Sequence, residues 1–234
     1  DTKTRFGANA IWFSISVFWA VVHAGIIMAV YLATARAPSH GTSLFQWSVS
    51  GGLPFVVFLY TFRFVGLSLG AFGGLLAFPT VKGIDILWAR TILEMISSTL
   101  VTVMIILIVY LLDPTFRIAH FGVLLEALGA AFFLGVGLGA ILAPLAAISM
   151  VGAVTIALFP IVLWITSGAL FLPDSLPHPY RDYLALNPLL HALEWVRTGI
   201  YDDYVSETLD RQYILGVACV CLLGGLAFQR AWRR

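Results

Sequence analysis

Long apolar runs set what this chain can fold into. Six of them, at about 9–32, 52–77, 92–112, 119–142, 147–172 and 212–229, are separated by short polar segments. Each reaches the ~20 apolar residues that a helix needs to cross a bilayer. Inside hydrocarbon the backbone must satisfy its own hydrogen bonds, and runs of this length do so as helices. Composition agrees, with 60% of the 234 residues hydrophobic, 11% charged and a mean hydropathy of +0.96. No soluble domain of this size needs so much apolar surface to fill its core. The chain is therefore read as one all-α, polytopic membrane domain with six transmembrane helices. Lys3 and Arg5 ahead of the first run, and Ala33 and Ala35 after it, give it the outline of a signal peptide. The run is well beyond the ~7–15 residues of a secretory apolar core, which favours a retained first span. The chain opens at Asp1 without Met, which leaves room for N-terminal sequence ahead of it.

An even number of crossings puts both chain ends on one side. In this arrangement Lys3, Arg5, Lys82, Arg90, Arg230, Arg233 and Arg234 share that side, and Arg36, Arg117, Arg181, Arg197 and Arg211 lie on the other. The cationic excess, and above all the RAWRR cluster abutting the last span, places both termini in the cytoplasm. On the far side, residues 35–51 form a polar Ser/Gly-rich loop and residues 113–120 a short Asp-Pro turn. The junction of the fourth and fifth spans, APLAAIS around Pro144, carries no charge and is the least marked boundary.

Two segments stand apart from the spans. The first, GGLLAFPTVKGIDILWARTILE at 73–94, is the one short polar interruption that splits two long apolar runs in the first half. Pro79 and Gly83 punctuate it, and Lys82, Asp85, Arg90 and Glu94 bring charges of both signs against two membrane-length runs. Such a turn, centred on 78–91, suits a docking element at the cytoplasmic surface. The second is residues 173–210, too long for a turn. Asn187 followed by Pro188 reads as a helix cap with proline at the first helical position. Leu189, Leu193, Val196 and Ile200 then form an apolar stripe, with His191, Glu194 and Arg197 stepping by three along a neighbouring face. This predicts an amphipathic helix on or dipping into the outer interface, after a short turn at 180–185 and before the acids Asp202, Asp203, Glu207 and Asp210.

Few residues suggest chemistry. The chain has no GxxxxGK[ST] phosphate loop, so ATP hydrolysis is not expected in it. The LGVGLGA run at 134–140 lies inside a span, and Gly135 and Gly139 form a small-xxx-small pair suited to close helix packing. His191 and Glu194 lack the third ligand or the HExxH spacing of a zinc site, so no metal is expected. His23 and Ser149 have no spacing that supports a hydrolase. Cys219 and Cys221 lie on different helix faces and suggest neither a disulfide nor a metal cluster. Arg63 and Glu126 are ionisable groups within spans, where a charge costs ~2.5–3.5 kcal/mol at the bilayer centre. They are read either as structural, by ion pairing or snorkelling, or, for Arg63, as the lining of a path for an anionic substrate. Phe55, Phe58 and Phe62 repeat at three and four on the second span. They are read either as packed or lipid-facing rings or as a stacking path for a glycan. Trp12, Trp19 and Trp88 fit an interfacial belt.

The 73–94 segment and the NPLLHALEWVRTGIY segment at 187–201 resemble the two most characteristic regions of the membrane permease of bacterial capsular polysaccharide exporters, within the type-2 ABC exporter family. Leu75, Leu76, Pro79, Val81, Lys82, Asp85, Ala89, Arg90 and Glu94 carry the first likeness, and Asn187, Pro188, His191, Glu194 and Arg197 the second. TRFG at residues 4–7 resembles the family's N-terminal lead. Gly83 stands where relatives often have proline, and the N-terminal interface helix is short.

The resemblance implies a six-span subunit that pairs with a second copy of itself and with two ATP-binding cassette subunits, which bind ATP and Mg. The turn between spans two and three would be the coupling helix, with Pro79, Val81, Lys82, Asp85, Arg90 and Glu94 serving the ATPase. The segment before span six would be re-entrant exterior helices held by Asn187, His191, Glu194 and Arg197. The passage, with Phe55, Phe58, Phe62 and Arg63 as a candidate lining, would carry lipid-linked acidic polysaccharide across the bacterial inner membrane towards periplasmic and outer-membrane export proteins, with no role for nucleic acid. Other cargoes of the same class (O-antigen, teichoic acid, lipid or drug) are the alternative. A secondary transporter or channel is the rival class, although the halves show no matched broken helices.

Overall fold

The computed structural model describes the backbone of residues 2–33 and 38–232, and the side chains of residues 14–15, 17–30, 33 and 38–230. Lys3, Arg5, Trp12, Arg36, Arg233 and Arg234, used above for orientation and the aromatic belt, have side chains outside that set. Among the described residues all regular structure is helical: α1 (Thr2–Ala33), α2 (Leu44–Ala71), α3 (Gly83–Leu112), α4 (Phe121–Ile148), α5 (Met150–Ile165), α6 (Tyr180–Leu184), α7 (Pro188–Ile200) and α8 (Arg211–Trp232). Single 3-10 turns at Gly73–Ala77 and Pro173–Ser175 complete it.

By length and composition α2, α3, α4 and α8 can cross a membrane; the described side chains of α1 include an apolar stretch at Val17–Val30, and α5 is shorter. The sixteen residues of α5 span ~24 Å, less than the ~30 Å of a hydrocarbon core. Contacts fix the directions. His23 meets Phe55 and a side chain at Gly52 would meet Ile27, so α1 runs against α2. Phe159 meets Phe62 and Trp164 meets Phe55, so α5 does too. Helices α2 and α4 run together, because a Cβ at Gly135 would lie 2.9 Å from the carbonyl of Phe58 and one at Gly139 3.0 Å from that of Phe62. On another face of α4, Gly137 gives the same access to the backbone of α8 at Ala218. Such contacts set the backbones at a distance that only glycine allows. The bundle thus has an elbow end, at the α2–α3 connection, and a loop end, where α7 lies.

Helix ends differ from the apolar runs because caps set them. The expected loop over 35–51 is helical from Leu44, where the Ser43 hydroxyl accepts from Gln46 N–H at 3.1 Å. Ser48 and Ser50 keep the polar run helical by donating to the carbonyls of Leu44 and Trp47. Pro144 does not end α4, which continues to Ile148. The break is at Ser149, whose hydroxyl accepts from Gly152 N–H.

Helix α7, expected as an amphipathic helix on or dipping into the outer interface, is buried on more than its apolar stripe. All of its residues but Pro188 and Thr198 are buried, charged face included. It packs against α2, α4 and α8, and its last carbonyls, on Gly199 and Ile200, accept from the backbone of His120 and Ala119.

Candidate functional site

Two groups of residues singled out in the sequence occupy opposite ends of the bundle. At the elbow end, α2 stops at Ala71, the chain makes one 3-10 turn, and α3 begins at Gly83. Of the segment 78–91, expected as one coupling turn, the residues from Gly83 on are the first part of α3. Pro79, Val81 and Lys82 lie in the elbow, whereas Asp85, Arg90 and Glu94 lie on α3, which is unbroken to Leu112. The polar residues stay helical because each is used locally. The Asp85 carboxylate accepts from Lys82 N–H at 2.7 Å, capping α3 at the end where its dipole favours an anion. Arg90 and Glu94 form an ion pair one turn apart. The Arg90 guanidinium also lies 4.2 Å over the ring of Phe64 on α2, and Glu94 is buried beside Val17, Val57 and Tyr60. The tip remains open, with Phe72, Leu75 and Phe78 exposed. Beneath it a cavity of about 320 Å³ is lined by Leu69, Leu76, Phe78, Pro79, Val81, Gly83 and Gln229 of α8. A Cβ at Gly83 would lie 3.3 Å from the Gln229 amide oxygen, a crowding that glycine relieves here.

At the loop end, each polar residue of α7 ties it to a different element. The Asn187 amide donates to the Leu163 carbonyl at 2.7 Å and to Thr166 at 2.8 Å, while its oxygen caps α7 at Leu189 N–H. His191 donates from Nε2 to the Ala185 carbonyl and accepts at Nδ1 from Asp210 N–H, so the neutral tautomer is fixed from both sides. Its burial holds the pKa below the ordinary histidine value. Glu194 and Arg197, neither with any exposed side-chain surface, pair at 2.5 Å. Arg197 also donates to the Gly168 carbonyl at 2.6 Å and lies 4.2 Å over Trp47, and Glu194 accepts from the Tyr204 hydroxyl at 2.6 Å. The Tyr204 pKa is raised by burial and by the Glu194 charge. Glu194 and Arg197 form one unit, and His191 bonds elsewhere. Sequence spacing pointed to α7 but not to Trp47, Gly168 or Tyr204, which come from three other segments and share no local pattern with it.

The third group does not share a face. Phe58 and Phe62 stack at 5.6 Å with no exposed surface, Phe55 packs on Trp164, and Arg63 is turned outward. Within this chain all three rings are buried among other side chains. Glu126 is exposed near the start of α4, at the opposite end from Arg63, so the two do not pair. Among the described residues no cluster of three or more His, Cys, Asp or Glu is arranged to hold a metal.

Both groups fall inside one stretch with known relatives. Residues 72–201, from the residue that closes α2 to the one that closes α7, match the model of the ABC-2 type transporter family. The chain belongs to that family. Like other ABC-2 transporter chains it is a membrane component, and in this family ATPase activity lies in a separate subunit. It is 29% identical over 237 residues to the polysialic acid transport protein KpsM of Escherichia coli, covering 98% of this chain and 89% of the relative. It is 24% identical over 233 residues to the capsule polysaccharide export inner-membrane protein CtrC of Neisseria meningitidis serogroup B, covering 96% and 84%. The CtrC of serogroup A is 31% identical over 163 residues, 68% of this chain and 60% of the relative.

Proposed function

We propose that the chain is the transmembrane subunit of an ATP-driven exporter that moves lipid-linked acidic polysaccharide from the cytoplasm to the periplasm across the bacterial inner membrane. The observation that carries this reading is the sequence likeness to KpsM over 98% of the chain, which takes in the residues of α1 to α8 and not one motif. The names of KpsM and CtrC supply the cargo class.

In this reading the chain crosses the membrane six times, with α1 and α5 as the first and fifth crossings and α6 and α7 as a re-entrant pair on the periplasmic side. The elbow and both termini are cytoplasmic. Two copies pair, and each receives one ATP-binding subunit at its elbow; periplasmic and outer-membrane proteins take the cargo onward. Closure of the ATP-binding subunits pushes on Pro79–Lys82. The cap at Asp85 and the Arg90–Glu94–Phe64 contacts would make that push act on α2 and α3 together. Movement follows only if the ATPase binds one arrangement of these helices better than another.

Asp85→Ala and Arg90→Ala are expected to abolish export of acidic polysaccharide while the protein still inserts in the membrane and co-purifies with its ATP-binding subunit. The measurement is surface polysaccharide in a strain lacking its own permease. Normal export by both variants would refute the coupling role.

A further inference from the structure

Arg63 follows the fully buried Phe62 on α2 yet faces out of the bundle. It lies ~12 Å of helix from Ala71, within a membrane-length segment where a lone cation is costly. Among the described residues no carboxylate pairs with it, in contrast to Arg90, Arg181 and Arg197, which each have one. Tyr60, three residues earlier on α2, shares its side of the helix, and His23 of α1 packs on Tyr60; both are half-buried. The His23 ring stands edge-on to Tyr60 at 6.1 Å and to Phe55 at 6.4 Å. The patch therefore offers a guanidinium, an imidazole and a phenol hydroxyl beside aromatic faces, and the carboxylate near it, that of Glu94 beside Tyr60, is already held by Arg90. Donor-rich surroundings of this kind complement a carboxylate or phosphate, and a guanidinium can hold either through two parallel hydrogen bonds.

We propose that Arg63, flanked by His23 and Tyr60, is the contact for the carboxylate groups of an acidic glycan as it passes the membrane. This rests on the exporter reading and adds the residues that read the cargo's charge. A phospholipid phosphate is the other anion that could meet the same donors, and the test separates the two.

The complex of this chain with its ATP-binding subunit, in phosphatidylcholine nanodiscs, is titrated with oligogalacturonate and with its methyl ester, the same glycan without charge. The wild type is expected to prefer the acid, and Arg63→Gln to weaken the acid by about tenfold while leaving the ester unchanged, the size of a charge-assisted hydrogen bond. Tyr60→Phe is expected to cost about threefold. Arg63→Lys, which keeps the charge, should restore part of the loss, and an unchanged thermal midpoint shows that each variant is folded. Equal binding of the acid by wild type and Arg63→Gln overturns the proposal. So does retention of phosphatidylglycerol by the wild type, but not by Arg63→Gln, without any dependence of glycan binding on Arg63. Co-purification is scored in the same preparation. Loss of the ATP-binding subunit from the wild type counts against the exporter reading, whereas a retained subunit with charge-blind binding counts against Arg63 alone.

Discussion

Arg197 carries a full charge with no exposed surface, and what surrounds it decides whether α7 can be buried at all. Removing one member of a buried ion pair strands the other charge, at a cost of ~3–5 kcal/mol. Glu194→Ala is therefore expected to lower the thermal midpoint in detergent sharply, and Tyr204→Phe to cost about 1.5–3 kcal/mol because a bond to a buried carboxylate is lost while the ion pair remains. His191 gives a pH dependence of definite sign. Its folded pKa lies below its unfolded value near 6.5, so its contribution is fully present above that value and is lost as pH falls through it towards the folded pKa. Melting scans from about pH 7.5 to 5.5 should show a falling midpoint that flattens in His191→Gln. An equally steep fall in the variant would assign the dependence to other groups. At this scale the sequence shows which residues of α7 share a face, because helical spacing is local. It does not show Trp47, Gly168 or Tyr204 closing over them, because those approaches depend on how whole segments cross.

Helix α4 holds the elements together through its glycines, and this makes it intolerant of bulk on two faces. Gly135→Leu is expected to force α2 away at Phe58 and Phe62, and Gly137→Leu to force α8 away at Ala218. Overpacking against backbone costs ~1–3 kcal/mol or more. The readout is a lowered detergent melting temperature, with Gly129→Leu as the control because no atom lies within 4 Å of a Cβ there. The Gly135 and Gly139 pair was legible as a packing motif, since four-residue spacing puts both on one face. Helix ends were less so. Apolar run length reports which residues can sit in hydrocarbon, whereas Ser43, Asp85 and Ser149 decide where each helix begins, through side-chain bonds that a hydropathy pattern does not contain. The full burial of α7 was not legible for a related reason. One apolar stripe with a charged flank reads as interfacial, but pairing of that flank lets the bundle cover both.

Across the whole molecule, the elbow and α7 sit at opposite ends of the helices that join them. Helix α2 joins the two ends and delivers Trp47 to Arg197 at the loop end. In the proposed mechanism a push at Pro79–Lys82 would reach the buried network by moving α2 and α3 as rods. The polytopic class was legible from the apolar runs and the family from two motif segments, since both survive ignorance of the packing. The side of the membrane is the claim on which the mechanism turns. The direct measurement is labelling with a membrane-impermeant maleimide in a Cys219→Ser, Cys221→Ser background expressed without the ATP-binding subunit, comparing Thr80→Cys in the elbow with Val205→Cys, 84% exposed at the loop end. Thr80→Cys should label only after the inner membrane is permeabilised and Val205→Cys in intact spheroplasts. Labelling of Thr80→Cys from the periplasmic side would contradict the account.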